Sequence, residues 1–229
     1  MNTIWQGYRN TLMYVGLGTS ISMLITIMGA FILSHRDFML KRITMALVVF
    51  TMYFSGGMIP TYLVVTQLKL TNSLWGFLLP GAVSVYNLIV LRTAFNSVPK
   101  ALLESAEIDG AGDLTVLFRI VLPLSTASLA TIGLFYAVTF WGSWYNALVY
   151  LQKRRDLYPL QMILRELLIT DKTTDSMVTA YNGQAANQYL LKEIVKYCAI
   201  VVSTLPILAV YPFIQKYFVK GIMLGAIKE

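Results

Sequence analysis

The sequence is poor in charge and almost without metal-binding side chains. Asp, Glu, Lys and Arg make up 13 % of its 229 residues, about half the roughly 25 % usual in a soluble domain. Apolar residues reach 57 % and the mean hydropathy is +0.64, so the chain reads as membrane-embedded. The single cysteine, Cys198, lies in an apolar run; it excludes an internal disulfide and reads as a small core residue. The single histidine, His35, stands beside Arg36, and without a second His or a Cys cluster it makes no zinc site. Neither does it suggest a catalytic triad, because no motif supplies a Ser or Cys partner. No G-x-x-x-x-G-K-[ST] occurs, so there is no phosphate cradle for ATP. The net charge is +7, but the Lys and Arg residues are dispersed, which argues against nucleic acid as a partner. The opening "MNTIWQGYRN" lacks the basic start, apolar middle and cleavage site of a signal peptide. The first apolar run is therefore expected to stay as a span.

What is present is a series of long apolar runs. A helix rises about 1.5 Å per residue, so roughly 20 residues cross the hydrocarbon core. Five runs meet that length: 11–34, 43–68, 74–95, 125–151 and 193–215. The ten-residue alternation of barrel strands is not visible. The expected fold is an all-α membrane protein, a polytopic helical bundle forming one transmembrane domain over 1–229. The runs are interrupted by Gly16, Gly18, Ser20 and Ser22, by "SGGMIP" (55–60), by "LPGAVS" (79–84), and by Pro206 and Pro212. Small residues let helices approach closely in lipid, and broken backbone at membrane depth needs protein or a wet cavity around it. Packing and a solute pathway are both open readings of these breaks. An intramembrane enzyme would need paired ionisable groups inside the spans, and the clear interiors hold none; Arg92 lies near a span end, where it can snorkel.

Charge counting leaves orientation almost balanced. The compact loop "HRDFMLKR" is more basic than "KLTNS", which places the 35–42 loop, the stretch 97–123 and the C-terminus in the cytoplasm. "QKRRD" pulls the other way, but it heads a loop of about 40 residues, where the rule weakens.

The stretch "ESAEIDGAGDLTVLFRIVLPL" (104–124) stands apart. Its first ten positions hold four acids and two glycines, and a Leu-Pro stop follows. Ser97 is placed to cap a short helix with Pro99 in its first turn. Ala101, Leu102, Leu103, Ala106 and Ile108 give that helix an apolar side, with Glu104 and Glu107 one turn apart. Gly110 and Gly112 end it, Asp113 caps a second helix, and Pro123 kinks the chain into the next span. Two readings remain open on local physics: a solvated interfacial connector, or a rigid docking element for a partner.

The spacing carries a resemblance. Glu104-Ser105-Ala106, three residues, Gly110, nine residues, Ile120, one residue, Leu122-Pro123 resembles the "EAA" motif of ATP-binding-cassette importer permeases, with Ser105 where Ala is usual. "FSGGMIPTYLVV", "LPGAVSVYNLIVLRTAF", "LFYAVTFWGSWYNALVYL", "RDLYPLQMILRE" and "QKYFVKGIMLGAIKE" extend the likeness over nearly the whole chain. They are similar to the binding-protein-dependent carbohydrate-uptake permeases, maltose-permease-like, and within them to the group associated with complex or acidic oligosaccharides. Such permeases usually carry one more span, and this chain begins where their second would start. A truncated chain and a naturally short member are both compatible with that.

The resemblance implies the type I ABC importer permease fold and a subunit that translocates a sugar or oligosaccharide. A second, homologous permease subunit would pair with it in the bacterial cytoplasmic membrane. Two cytoplasmic ATPase subunits would carry ATP and Mg, with no cofactor on this chain and no ATP hydrolysis by it. An extracytoplasmic solute-binding protein would deliver the carbohydrate. Glu104, Ser105, Ala106, Asp109, Gly110, Ile120, Leu122 and Pro123 would form the ATPase-coupling loop, passing nucleotide-driven closure to the spans in a rigid-body alternating-access cycle. Tyr53, Met58, Tyr86, Asn87, Trp141, Trp144, Tyr145 and Asn146 are the candidates for the solute pathway, since sugar C–H faces stack on aromatics and amides meet hydroxyls. Aromatic belts at the membrane interface are the competing reading of the same residues. The polar loop 152–192 is expected to be extracytoplasmic, with Tyr181, Asn182, Gly183 and Gln184 touching the binding protein. A permease for a non-sugar solute, an unrelated channel or transporter subunit, and an intramembrane enzyme are the alternatives.

Overall fold

The computed structural model describes residues 2–35 and 39–167, and isolated helical positions between 194 and 209. The fifth expected span, 193–215, lies largely outside the described residues. Among those described there is no strand. The elements are α1 (Asn2–Ser34), α2 (Lys41–Tyr53), α3 (Met58–Gln67), α4 (Leu74–Leu78) with a 3-10 turn (Leu79–Gly81), α5 (Val85–Asn96), α6 (Lys100–Ile108), α7 (Asp113–Val116), a π-helical turn (Leu117–Val121), α8 (Leu122–Leu124), α9 (Thr126–Trp141), α10 (Trp144–Tyr150), a 3-10 turn (Arg155–Leu157) and α11, the helical residues 160–167.

Helix α1 is the axis of the bundle. Its 33 residues run about 50 Å, more than one hydrocarbon core. Thr11, Tyr14, Gly18, Ser22, Thr26, Ala30 and Leu33 recur at helical spacing and are buried, whereas Leu12, Leu17, Leu24, Ile25, Met28 and Ile32 are exposed. The small and polar stripe faces protein and the large apolar side faces outward, as suits a helix whose solvent is lipid. Of the small residues singled out in the sequence, Gly18 and Ser22 lie on the packed stripe, while Gly16 and Ser20 are exposed.

Helix α9 runs antiparallel along this stripe, and α5 packs on its second half. A Cβ at Gly18 would stand 2.6 Å from the Phe140 ring, and one at Gly29 would stand 2.9 Å from Leu88. At the middle of the bundle the Tyr136 hydroxyl joins three elements. It pairs with Thr26 Oγ1 at 2.7 Å and accepts the Ser84 N–H at 3.1 Å. Ser84 is the N-cap of α5, and its own Oγ accepts the Asn87 N–H. The break "LPGAVS" is thus satisfied by side chains at depth.

Two of the expected spans are bent within their length, and the run 125–151 is entered through a third bend at Ser125, next to the kink expected at Pro123. The pairs α2–α3, Leu74–Gly81 with α5, and Asp113–Leu124 with α9 turn by 112°, 56° and 86°. One helix is long and apolar enough to cross alone, and up to four spans result if each bent pair counts as one. The run 43–68 therefore corrects to two helices, broken over 54–57 where Gly57 takes φ +83°, a left-handed value glycine adopts freely. The run 125–151 likewise divides at Gly142–Ser143.

The two ends of α1 are tied down by different chemistry. At its C-terminus the unpaired helix carbonyls receive cations: Arg92 Nε donates to Leu33 O at 3.0 Å, and Lys41 Nζ donates to Ser34 O and His35 O at 3.1 and 3.2 Å. Cations at this end also oppose the helix dipole. Arg92 is thereby engaged within the protein, where the sequence suggested snorkelling. At the other end Gln6 and Asn10 donate to Asp156 O, Asn10 also to Tyr158 O, and the Tyr14 hydroxyl to Leu157 O at 2.6 Å. The Leu160 N–H returns a bond to Thr11 Oγ1 at 2.9 Å. Residues 152–167, the first part of the expected polar loop, are thus clamped to α1, with Leu160, Met162, Ile163 and Leu164 buried.

Candidate functional site

The acidic stretch forms two short helices on the C-terminal end of α1. Helix α6 ends in a Schellman turn: the Gly110 N–H bonds Glu107 O at 3.0 Å and the Ala111 N–H bonds Ala106 O at 2.9 Å. Gly110 holds φ +78°, so its place in the motif has a backbone reason. Two local expectations are corrected. Ser97 closes α5, donating to Ala94 O, and Pro99 takes the N-cap position of α6. Gly112, not Asp113, is the N-cap of α7, which leaves the Asp113 charge in the first turn, where the dipole favours it.

Helix α6 divides its apolar residues between two faces. Leu103 and Ala106 pack on the core, whereas Leu102 and Ile108 point away, Ile108 being 87 % exposed. Glu104, Ser105, Asp109 and Gly110 lie on the exposed side. The outward surface is therefore a mix of carboxylates and bare apolar side chains, extended by Leu114 and Phe118. Ile120 and Leu122 are half-buried and Pro123 is exposed. The second half of the stretch is not regular α-helix: a π-helical turn precedes Pro123, with the Leu122 N–H reaching back to Leu117 O. A cleft of about 380 Å³ opens beside α6, lined by His35, Lys41, Lys100, Glu104 and Glu107 among others. It places the stretch 104–124 against the ends of α1, α2 and α5.

The solute-pathway candidates do not form one group: Tyr86 and Asn87 follow Ser84 at the middle of the bundle, away from Trp144. Trp144, Tyr145, Asn146 and Met58 come together. The Tyr145 hydroxyl meets the Met58 thioether, Trp144 and Tyr145 meet edge to face at 5.8 Å, and the Asn146 amide lies beside Gly81. Trp144 and Tyr145 keep 37 % and 46 % of their surface open. Tyr53 and Tyr86 are exposed on α2 and α5. Asn87 and Trp141 are buried, Trp141 packing edge-on against Tyr8 at 6.2 Å; they belong to the interior of the bundle rather than to an open surface. Tyr181, Asn182, Gly183 and Gln184 lie outside the described residues.

One residue of this region has no signal in the sequence. The Arg165 guanidinium carbon lies 4.7 Å over the Trp144 ring. Twenty-one positions separate the two in the chain, and no local pattern links them; only the return of α11 beside α10 does.

With this geometry in place, the comparisons are specific. Residues 11–151 match the family described as binding-protein-dependent transport system inner membrane component. The chain belongs to that family. It is 45 % identical to the polygalacturonan/rhamnogalacturonan transport system permease protein YtcP of Bacillus subtilis over 93 % of this chain and 73 % of that protein. It is 43 % identical to protein LplC of the same organism, covering 93 % of this chain and 70 % of the other. Its fold is similar to a chain in the crystal structure of a bacterial ABC transporter involved in the import of the acidic polysaccharide alginate. The TM-score is 0.84 at 32 % identity, over 95 % of this chain and 76 % of that one. The fold is that of an ABC importer permease, and the chain is a membrane transport component. The matched region contains the helix pair at Gly110, all three bent pairs and the Trp144 group.

Proposed function

We propose that the chain is the membrane-spanning permease subunit of an ATP-driven importer that carries a sugar or oligosaccharide delivered by an extracytoplasmic binding protein. The observation that carries the reading is the exposed helix pair around Gly110, whose motif spacing and Schellman turn make a rigid, acidic and apolar docking element at one end of the bundle. Its partner is a cytoplasmic ATPase subunit, two of which serve the assembled importer. ATP and Mg belong to those subunits, and this chain hydrolyses nothing. The helix pair and the C-terminus accordingly face the cytoplasm, and the Trp144 group faces the outside.

The carbohydrate assignment draws on the relative named for polygalacturonan and rhamnogalacturonan transport, on the similar chain of an alginate importer, and on the chemistry of Trp144, Tyr145 and Asn146. The open phenol of Tyr145 and the part of the Trp144 indole that Arg165 leaves uncovered suit sugar C–H surfaces, and the amide suits hydroxyls. A second, homologous permease subunit would cover part of the outer surface of α2 and α3, where among the described residues only Val65 is buried. Within the loop 152–192, Tyr181, Asn182, Gly183 and Gln184 are the residues that would touch the binding protein.

The test is uptake by the complete importer in proteoliposomes, with the cognate binding protein loaded with candidate oligosaccharides. Trp144→Ala combined with Asn146→Ala should cut uptake while leaving the complex assembled. Uptake equal to the unmodified importer would remove these residues from the pathway. Absence of any oligosaccharide uptake by the unmodified importer would end the carbohydrate reading.

A further inference from the structure

We infer that Arg165, laid on the Trp144 ring, reads a carboxylate of the solute and so selects oligosaccharides bearing uronate groups. The inference rests on the reading of the chain as a carbohydrate permease. It assigns the selection to one side chain of that site.

The first observation is an unspent charge. Arg165 is half-buried, and among the described residues no carboxylate lies within ion-pairing distance of it. Its neighbours differ. Arg154 is held by Asp156 at 2.7 Å through two nitrogens, and Arg155 leans towards Glu166 at 3.7 Å while 81 % exposed. A partly desolvated cation without an anion is unfavourable, and a cation of this kind is strongly receptive to a carboxylate.

The second observation is the platform. Trp144 lies under the guanidinium at 4.7 Å, a cation–π contact that uses the charge without consuming the N–H donors. A guanidinium so held offers a planar fork that matches a carboxylate in bidentate fashion. The third observation is the company. Tyr145 adjoins Trp144 and remains 46 % open. A sugar ring against the aromatic surface would bring its carboxylate to the fork. A neutral oligosaccharide has no group that needs the unspent charge. Two similar proteins are named for galacturonan and alginate, polymers whose residues carry such carboxylates.

The experiment uses the complete importer in proteoliposomes with its binding protein, supplied with trigalacturonate. Arg165→Gln should reduce uptake about tenfold or more, the worth of a charge-assisted pair, with the complex recovered at normal yield. Arg165→Lys keeps the stem and charge but not the fork, and should give an intermediate rate. Arg155→Gln removes the same charge from an exposed position and should leave uptake unchanged. Unaltered uptake in Arg165→Gln, or an equal fall in Arg165→Gln and Arg155→Gln, overturns the inference. If the unmodified importer carries only neutral oligosaccharides, the inference falls and the carbohydrate reading stands. If it carries no oligosaccharide, both fall.

Discussion

Thr26 and Tyr136 share a buried hydrogen bond of 2.7 Å across the α1–α9 interface, and the same tyrosine hydroxyl accepts the Ser84 N–H at 3.1 Å. One side-chain oxygen thus joins the bundle axis, its antiparallel partner and the start of α5.

Tyr136→Phe should leave the Ser84 N–H without its acceptor. A loss of about 1–3 kcal/mol is expected for such a buried donor. The coupling between Thr26→Val and Tyr136→Phe in a double-mutant cycle should be smaller, on the order of 0.6 kcal/mol, as is usual for polar pairs within membrane helices. Denaturation of the purified importer in detergent measures both. Full additivity of the two substitutions would show that the bond carries no coupling.

Gly18 and Gly16 make a contrast on one helix. A Cβ at Gly18 would stand 2.6 Å from the Phe140 ring, whereas at Gly16 nothing lies within 4 Å. Gly18→Ala should destabilise by about 1–3 kcal/mol through overpacking, and Gly16→Ala should not. Thermal midpoints of the two variants decide the matter. Equal midpoints would mean that α1 and α9 do not pack as described.

Gly110 and Gly112 contrast in the same way by backbone. Gly110 has φ +78° and Gly112 has φ −71°. Gly110→Asp should reach the membrane but lose solute-stimulated ATPase activity, since a side chain strains the left-handed turn. Gly112→Ala should retain most of that activity. Glu104→Lys should resemble Gly110→Asp by reversing charge on the exposed face. Normal transport by both damaging variants would remove the docking role of this stretch.

The outer clamp carries a pH dependence with a defined sign. Hydrogen bonding from Arg154 holds the Asp156 carboxyl below its ordinary value of 3.8. A depressed acid stabilises the folded state above its unfolded value and loses that contribution as pH falls through the folded value. Both groups are exposed, so the effect is small. The difference in thermal midpoint between the unmodified importer and Asp156→Asn should stay constant from about pH 7 to about pH 5, then shrink below 3.8. A difference that is constant through the acid range would separate the clamp from the carboxylate.

Much of the fold is legible in the sequence because membrane spans are written in local composition. The apolar runs, the breaks at "SGGMIP" and "LPGAVS", and the glycine turn at Gly110 all follow from neighbours in the chain. Helix α6 shows where this ends. Its apolar residues are visible, but that Leu103 and Ala106 pack inward while Leu102 and Ile108 stay bare depends on α1 and α5 arriving beside it. Trp141 and Trp144 make the same point. They are three positions apart in one aromatic run, yet one is buried against Tyr8 and the other is open beneath Arg165.

By itself, then, the sequence determined the membrane as solvent, the helical bundle and the glycine turn at Gly110, since each rests on residue type at short spacing. Tertiary structure alone decided the angles at which the broken spans turn, the clamp of residues 156–160 on α1, the meeting of Thr26, Ser84 and Tyr136, and the seat of Arg165 on Trp144. These depend on side chains from distant segments reaching hydrogen-bond or van der Waals distance, and no local pattern encodes that distance.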